Sequence, residues 1–240
     1  MKKIYLSAIL FIAAISITSL SSCRFGCVHG SGRQVSESHK LTDFTKIEIS
    51  GGFKVNLKQD SSLNVTITTD DNLMKYMRTS VDGDKLRISA KRNFCSSGET
   101  VVNIGVRNLD AIETAGAVDL NSDGKINTKD LHFELNGASK VNLDLNAANV
   151  TFEGNGASEI NLKGQASSNK IEFSGSGKVY AFDFVVGSYN IETTGASNCE
   201  INVLHDLTVN TTGAAEVQYK GNPTSVNSSK TGSATITKVN

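Results

Sequence analysis

The chain has 240 residues, 24 basic and 24 acidic side chains, and a formal net charge of +0 at pH 7. Nothing in this balance favours a nucleic-acid-binding domain, which typically carries an excess of basic residues. The absence of tryptophan also weakens the case for a carbohydrate-binding module, because sugar faces commonly stack on large aromatic rings.

Residues 1–22 are predicted to be an export signal. Two lysines stand at positions 2 and 3, and the apolar run 9–17 follows them. The end of the signal and the residue after it read Leu20-Ser21-Ser22-Cys23, which resembles a bacterial lipobox. The resemblance implies cleavage before Cys23 and diacylation of its thiol. A membrane-spanning helix is the alternative, but the run is shorter than the ~20 apolar residues that a span requires. We therefore expect a lipid anchor at Cys23 that attaches the chain to a membrane.

Residues 23–40 are predicted to be this anchor and a flexible stalk, because the segment is polar, contains Gly and Ser and shows no period. Cys27 lies in this segment, Cys95 in the region after it, and Cys199 among the repeats described below. Their spacing indicates neither a disulfide framework nor a metal-ligand pair, so their disulfide status stays open. Cys199 falls among inward apolar positions and is expected to be a small buried side chain.

Residues 41–110 have the pattern of an irregular β region. Segments 65–67 and 86–88 alternate as half-buried strands, Asp82-Gly83 is a hairpin signal, and segment 70–77 has the acidic start of a helix of one or two turns. A stack of repeats exposes its interior and a strand edge at its first member. We expect this region to cap that end.

Residues 111–240 repeat one phrase every 18 to 21 residues. Two clear copies are residues 137–141 (GASKV) and 156–160 (GASEI). Apolar residues stand four before and four after the glycine, so each repeat reads as strand, tight turn and strand, and glycine suits a turn that requires positive φ. The period predicts an all-β solenoid in which each repeat stacks on the next. An earlier copy of the phrase stands at Gly51, within residues 41–110. The turn glycines are therefore Gly51, Gly116, Gly137, Gly156, Gly175, Gly195, Gly213 and Gly232.

The position three residues after each turn glycine favours one turn of the solenoid per repeat. Its charges largely alternate, so stacked neighbours would form favourable pairs worth roughly 0.2–1 kcal/mol each at best. This column consists of Asp119, Lys140, Glu159, Lys178, Asn198 and Glu216.

The lipobox leader, the Phe-x-x-Ile-x-Ile-x-Gly opening at 44–51, the Asp-Asn-Leu segment at 71–73 and the serial glycine turns together resemble the putative auto-transporter adhesin, head GIN domain family of Bacteroidetes. The resemblance covers residues 44–240. It implies a right-handed parallel β-helix, or β-solenoid, and a role in cell adhesion, and it carries over no catalytic or ligand-binding residue. Residues 24–26 do not match the acidic surface-export signal of some Bacteroidetes lipoproteins, so the membrane face stays undecided.

Segment 119–130 has the spacing of a calcium loop. Oxygen-bearing side chains stand at loop positions 1, 3, 5, 9 and 12, with Gly124 at position 6, which is similar to EF-hand and dockerin loops. However, the segment joins two predicted strands and no helix follows, so an ordinary Asn-Ser-Asp-Gly turn is the simpler interpretation. No other cofactor is indicated. The candidate calcium residues are Asp119, Asn121, Asp123, Lys125, Asn127 and Asp130.

No catalytic constellation is indicated, and we predict that the chain is not an enzyme. Many β-helices are polysaccharide lyases or hydrolases with a carboxylate cluster and often an arginine base, but no arginine follows Arg107. The histidines form no recurring Ser/His/Asp or Cys/His spacing. One glutamate per repeat is interpreted as a solvated face, with a binding groove as the alternative. These glutamates are Glu134, Glu153, Glu172 and Glu192.

The sequence therefore predicts a non-catalytic lipoprotein of the cell envelope, in the outer membrane, that presents a rigid repeat surface. Adhesion to a host or cell-surface protein or glycan is the first hypothesis. A periplasm-facing structural or assembly protein and a glycan-binding solenoid are the alternatives. The last repeat, residues 232–240, has no helix or charged segment after it, which favours self-association or docking on a partner through a strand edge.

Overall fold

The computed structural model describes residues 26–240, and the predicted export signal and Cys23 lie outside the described residues. The described chain consists of strands and one short helix, so the prediction of an all-β fold is confirmed. No helix of these residues is long and apolar enough to cross a membrane. In chain order the elements are β1 (Val28–His29), β2 (Gln34–Lys40), β3 (Lys46–Gln59), β4 (Asn64–Asp70), α1 (Asp71–Met74), β5 (Met77–Asp82), β6 (Lys85–Ala90), β7 (Phe94–Cys95), β8 (Val101–Val106), β9 (Ala111–Asn127), β10 (Asp130–Lys220) and β11 (Ser225–Lys238).

The turn glycines of successive repeats lie side by side in parallel ladders. β3 pairs with β9 so that Gly51 lies opposite Gly116, and β9 pairs with β10 so that Gly116 lies opposite Gly137. Near the end of the chain, Gly213 of β10 lies opposite Gly232 of β11. Each repeat therefore advances the chain by one strand position, a step of about 4.8 Å.

Close backbone approach explains why the turn residue is glycine. Gly156 has φ +119°, and a Cβ there would lie 2.5 Å from the carbonyl oxygen of Gly137. Gly195 has φ +122°, and its Cβ would lie 2.3 Å from the carbonyl oxygen of Gly175. Any other residue would strain the backbone and separate the two repeats. The contacts also show that repeats within the long β10 stack glycine on glycine.

The apolar positions that flank each glycine form the core. Phe133 and Phe152 stand four residues before their glycines, are fully buried, and stack with ring centroids 4.4 Å apart. Cys199 stands four residues after its glycine and is fully buried, as predicted. Removal of these columns from water supplies the main attraction between repeats.

The region before residue 111 continues the ladder and then adds antiparallel strands. β6 and β8 pair in parallel with the first and second halves of β3, on the side away from β9. β4 pairs antiparallel with β8, and β2 with β4. The predicted hairpin is present between β5 and β6, where Asp82 lies opposite Lys85, and α1 lies within the predicted helical segment.

The prediction of a flexible stalk is wrong for residues 28–40. β2 pairs with β4 along its whole length, β1 pairs with β7, and a disulfide joins Cys27 to Cys95. Six of the seven β2 side chains are exposed, because β2 lies at the edge of the sheet. The strand therefore lacks the alternating apolar residues by which a half-buried strand is recognised.

Candidate functional site

The column three residues after the turn glycines, here called the charged column, runs along the outside of the stack. Asp119 lies opposite Lys140 in the ladder, and Lys140 Nζ lies 2.9 Å from Glu159 Oε1. The hydrogen bond to Glu159 raises the pKa of Lys140, and the same bond lowers the pKa of Glu159. Both side chains are over one third exposed, so this pair contributes little to stability and leaves its charges accessible to a ligand.

Small side chains beside the charged column leave an open groove of about 470 Å³. It is lined by Ala117, Ala138, Ala157 and Ser176, the residues that directly follow four turn glycines. Asp119, Lys140, Glu159 and Lys178 of the charged column also line it, and the buried residues Val118, Ser139 and Ser158 stand between these two sets. The groove crosses four repeats, so an extended ligand meets a similar small residue and a charge of alternating sign at each step of about 4.8 Å.

A second outward column, the glutamate column, stands three residues before the turn glycines. The stacking extends the four glutamates of the sequence analysis by two, because Glu48 lies opposite Glu113 and Glu113 opposite Glu134. Basic side chains separate the charges: Lys85 Nζ lies 2.7 Å from Glu113 and 3.8 Å from Glu48, and Lys170 Nζ lies 2.9 Å from Glu172. The arrangement agrees with a solvated, partly neutralised face.

Asparagine ladders, which the sequence analysis missed, connect the repeats beyond the turn. Asn142 Nδ2 donates to Asn121 Oδ1 at 2.8 Å, and Asn161 Nδ2 donates to Asn142 Oδ1 at 3.0 Å. Asn142 both donates and accepts, so a shift in register would leave partly buried polar groups unpaired. The signal was present, because these asparagines stand five residues after their turn glycines. A second ladder consists of Asn127, Asn146 and Gln165.

The candidate calcium residues lie along the extended second half of β9 and just beyond it. Asn121 Nδ2 donates to Asp119 Oδ1 at 3.1 Å, so these two lie together. The other four contact residues elsewhere in the fold, and calcium binding by this segment stays a prediction. The contacts are Asp123 with Lys58, Lys125 with Asp144, Asn127 with Gln59, and Asp130 with Asn149.

A buried carboxylate joins the loops beside the disulfide. Asp70 accepts hydrogen bonds from the backbone N–H of Gly32 at 2.8 Å, the hydroxyl of Ser96 at 2.7 Å, and both the hydroxyl and backbone N–H of Ser97. These donors, the Ser97 hydroxyl above all, hold the pKa of Asp70 well below its usual range. The sequence marked Asp70 only as the start of a helix.

One cluster of metal-type side chains and one free thiol occur in the described part of the chain. Across residues 26–240, one group of three metal-type ligands has its atoms within 4.8 Å of one another, namely Cys27, His29 and Cys95. Its two sulfurs form the disulfide, which leaves His29 as the remaining ligand. Burial raises the pKa of the Cys199 thiol to about 12, so this cysteine stays protonated and unreactive at neutral pH.

The family described as "Putative auto-transporter adhesin, head GIN domain" matches residues 43–223. No curated protein matches the chain in sequence. A solved structure of a putative adhesin from Bacteroides fragilis has a TM-score of 0.83 at 20% identity, covering 88% of this chain and 100% of that chain. A putative adhesin from Parabacteroides merdae has a TM-score of 0.69 at 21% identity, with 89% and 99% covered. A putative lipid binding protein from Parabacteroides distasonis has a TM-score of 0.72 at 19% identity, with the same coverage.

Proposed function

Because the chain belongs to the putative auto-transporter adhesin, head GIN domain family, we propose that it is a non-catalytic adhesin of the cell envelope. The groove beside the charged column carries the proposal. It is open, crosses four repeats, and is built on a hydrogen-bonded ladder that needs no rearrangement to receive an extended partner. The partner is a protein or glycan of a host or neighbouring cell.

We infer that the stack is a right-handed parallel β-helix. Its support is the parallel pairing of residues one repeat apart and the contact of each turn glycine with the preceding one. Right-handed connections between parallel strands are strongly preferred. In this arrangement residues 41–110 cap the end of the helix and residues 111–240 form its regular turns.

The proposed position is the outer membrane, held by a lipid on Cys23 after removal of residues 1–22. The adhesin family supports an envelope location. A neighbouring structure described as a putative lipid binding protein is compatible with a fold that works next to lipid.

Surface proteolysis of intact cells tests this proposal. Proteinase K should remove the repeats from intact cells, as seen by immunoblotting, and lysed cells supply the control for complete digestion. Protection in intact cells with cleavage only after lysis would overturn the adhesin proposal. It would support instead a structural or assembly protein that faces the periplasm.

Filling the groove tests where the partner binds. The substitution Ala138→Tyr places a large side chain at an exposed position of the groove lining. It should reduce cell–cell aggregation, measured by settling of cells that express the chain. The matched control is Ser167→Tyr, at an exposed position that does not line the groove. Equal aggregation of both variants would remove the groove from the proposal.

A glycan-binding solenoid is the second candidate, favoured by the long open shape of the groove and by the charged side chains that line it. The same two variants on a glycan array separate this case from protein adhesion. Binding that Ala138→Tyr abolishes and Ser167→Tyr retains would identify a glycan as the partner.

A further inference from the structure

Four exposed basic residues lie close together in the fold near its N-terminal edge, and we call Lys75, Arg78, Lys91 and Arg92 the basic patch. Lys75 Nζ lies 5.2 Å and Arg92 Cζ lies 5.8 Å from the centroid of the Tyr76 ring. The backbone N–H of Lys91 donates to the Tyr76 carbonyl oxygen at 2.8 Å. Arg78 follows two residues later on β5. All four side chains therefore extend from two neighbouring segments into solvent.

The basic patch is not neutralised by the protein. Within residues 26–240 none of its four members forms an ion pair, whereas other basic residues of this region do, including Lys46, Lys54, Lys85, Arg87 and Arg107. Residues 1–25 contain no aspartate or glutamate, so the leader supplies no carboxylate partner. A group of four unpaired cations creates a local positive potential that attracts an anionic surface.

An amphipathic pocket of about 480 Å³ adjoins the basic patch. Met74 and Met77 contribute apolar lining, Arg78 and Lys91 contribute positive charge, and Glu37 of β2 lies among the other lining residues. Met74 is buried, whereas Met77 and the Tyr76 ring are half-buried. Cations next to a partly accessible methionine and a tyrosine ring match the boundary between lipid headgroups and acyl chains.

The polypeptide leaves the fold beside this patch. The backbone N–H of Val28 donates to the carbonyl oxygen of Asn93 at 3.1 Å, and Asn93 directly follows Arg92. The disulfide fixes Cys27 to Cys95. Cys23 is four residues before Cys27, so the connection spans at most roughly 14 Å when fully extended.

We propose that the basic patch rests on the anionic phospholipid headgroups of the membrane that holds the chain. This inference rests on the lipid anchor at Cys23 in the proposed function, because a tether of four residues keeps the patch within reach of the headgroups. β2 and β11 stand at opposite ends of the strand order. Contact at the N-terminal edge thus directs the regular repeats, and their groove, away from the membrane.

The test uses the processed, lipidated chain in vesicles of phosphatidylcholine, with or without phosphatidylglycerol, that carry a spin-labelled headgroup lipid as quencher. A dye on Ser80→Cys, an exposed position beside Arg78, reports approach to the membrane, and a dye on Ser228→Cys of β11 reports the far end. Buried Cys199 does not compete for the dye. The Ser80 dye should be quenched in anionic vesicles and released by high salt, while the Ser228 dye stays bright.

Lys91→Gln/Arg92→Gln removes half of the basic patch and should lower the ratio of membrane-apposed to free orientations about 30-fold, at roughly 1 kcal/mol per cation. Lys163→Gln/Lys230→Gln, which removes two exposed lysines of the repeats, should leave quenching unchanged. The proposal would be overturned if the Ser80 dye were quenched equally in neutral and anionic vesicles. It would also be overturned if both double variants lost the same amount of quenching. Flotation with phosphatidylcholine vesicles reports the anchor separately, because failure to float would refute lipidation without testing the patch.

Discussion

Replacement of one stacked turn glycine by alanine should destabilise the fold far more than a methyl group normally does. At Gly156 the substitution places an L residue at φ +119° with its Cβ 2.5 Å from the carbonyl oxygen of Gly137. The backbone conformation costs about 1–3 kcal/mol, and separating the overlapping atoms costs about 1–3 kcal/mol more. Gly156→Ala should therefore lower the free energy of unfolding by about 2–6 kcal/mol.

Two other glycines separate these contributions. Gly124 has φ +89° but open space around its Cβ, so Gly124→Ala tests the backbone conformation alone. Gly52 has neither a positive φ nor any atom within 4 Å of its Cβ, and it lies opposite Ala117 in the ladder. Gly52→Ala should be nearly neutral. Urea unfolding followed by circular dichroism should rank the variants, from most to least stable, as Gly52→Ala, Gly124→Ala and Gly156→Ala. An unfolding midpoint for Gly156→Ala equal to that of Gly52→Ala would refute the stacking argument.

Three further predictions concern the N-terminal edge and the core. Cys27→Ser/Cys95→Ser removes a disulfide that joins residues 68 positions apart. The free energy of unfolding should fall by roughly 4 kcal/mol in the chain-entropy account. An unchanged thermal midpoint under non-reducing conditions would contradict this. The depressed pKa of Asp70 means that its carboxylate stabilises the fold above the unfolded value near 4 and that this contribution is lost as the pH falls below it. Asp70→Asn should thus lower the thermal midpoint at pH 7 and make the midpoint fall less steeply between about pH 4 and 2. A fall in the midpoint over this pH range as steep as that of the unaltered chain would count against the role of Asp70. Cys199, with its thiol pKa raised to about 12, should react with a thiol reagent at pH 8 only after unfolding, and rapid labelling of the native chain would contradict its burial.

The repeats were predictable because their residues obey strong local constraints. A glycine that must adopt positive φ and touch the preceding repeat recurs visibly, as Gly137 and Gly156 do, and inward apolar residues such as Phe133 stand at fixed distances from it. Charge alternation between Lys140 and Glu159 followed from the same register. These features depend on neighbours one repeat away, so their spacing in sequence reveals their spacing in space.

The N-terminal edge was not predictable in the same way. β2 is polar because it is an edge strand, and the partner of Cys27 is Cys95, a contact that no local pattern encodes. The hydrogen bonds of Asp70 come from loops far from it in the chain. The basic patch flanks the predicted hairpin, but no periodic pattern marked its four cations as one group. The asparagine ladder lies between these cases, because its regular spacing was visible but its hydrogen bonds emerge only when the repeats are stacked.

The disulfide between Cys27 and Cys95 also determines how the fold carries mechanical load. For a chain pulled by its N-terminal end, tension that enters at Cys27 passes directly to Cys95, just before β8 joins the parallel ladder. The intervening edge strand β2 lies outside this force path, so it is not peeled from β4 when the two ends of the molecule are drawn apart. Reduction of the bond would place β2 in series with the load, and the weakest edge of the sheet would then yield first.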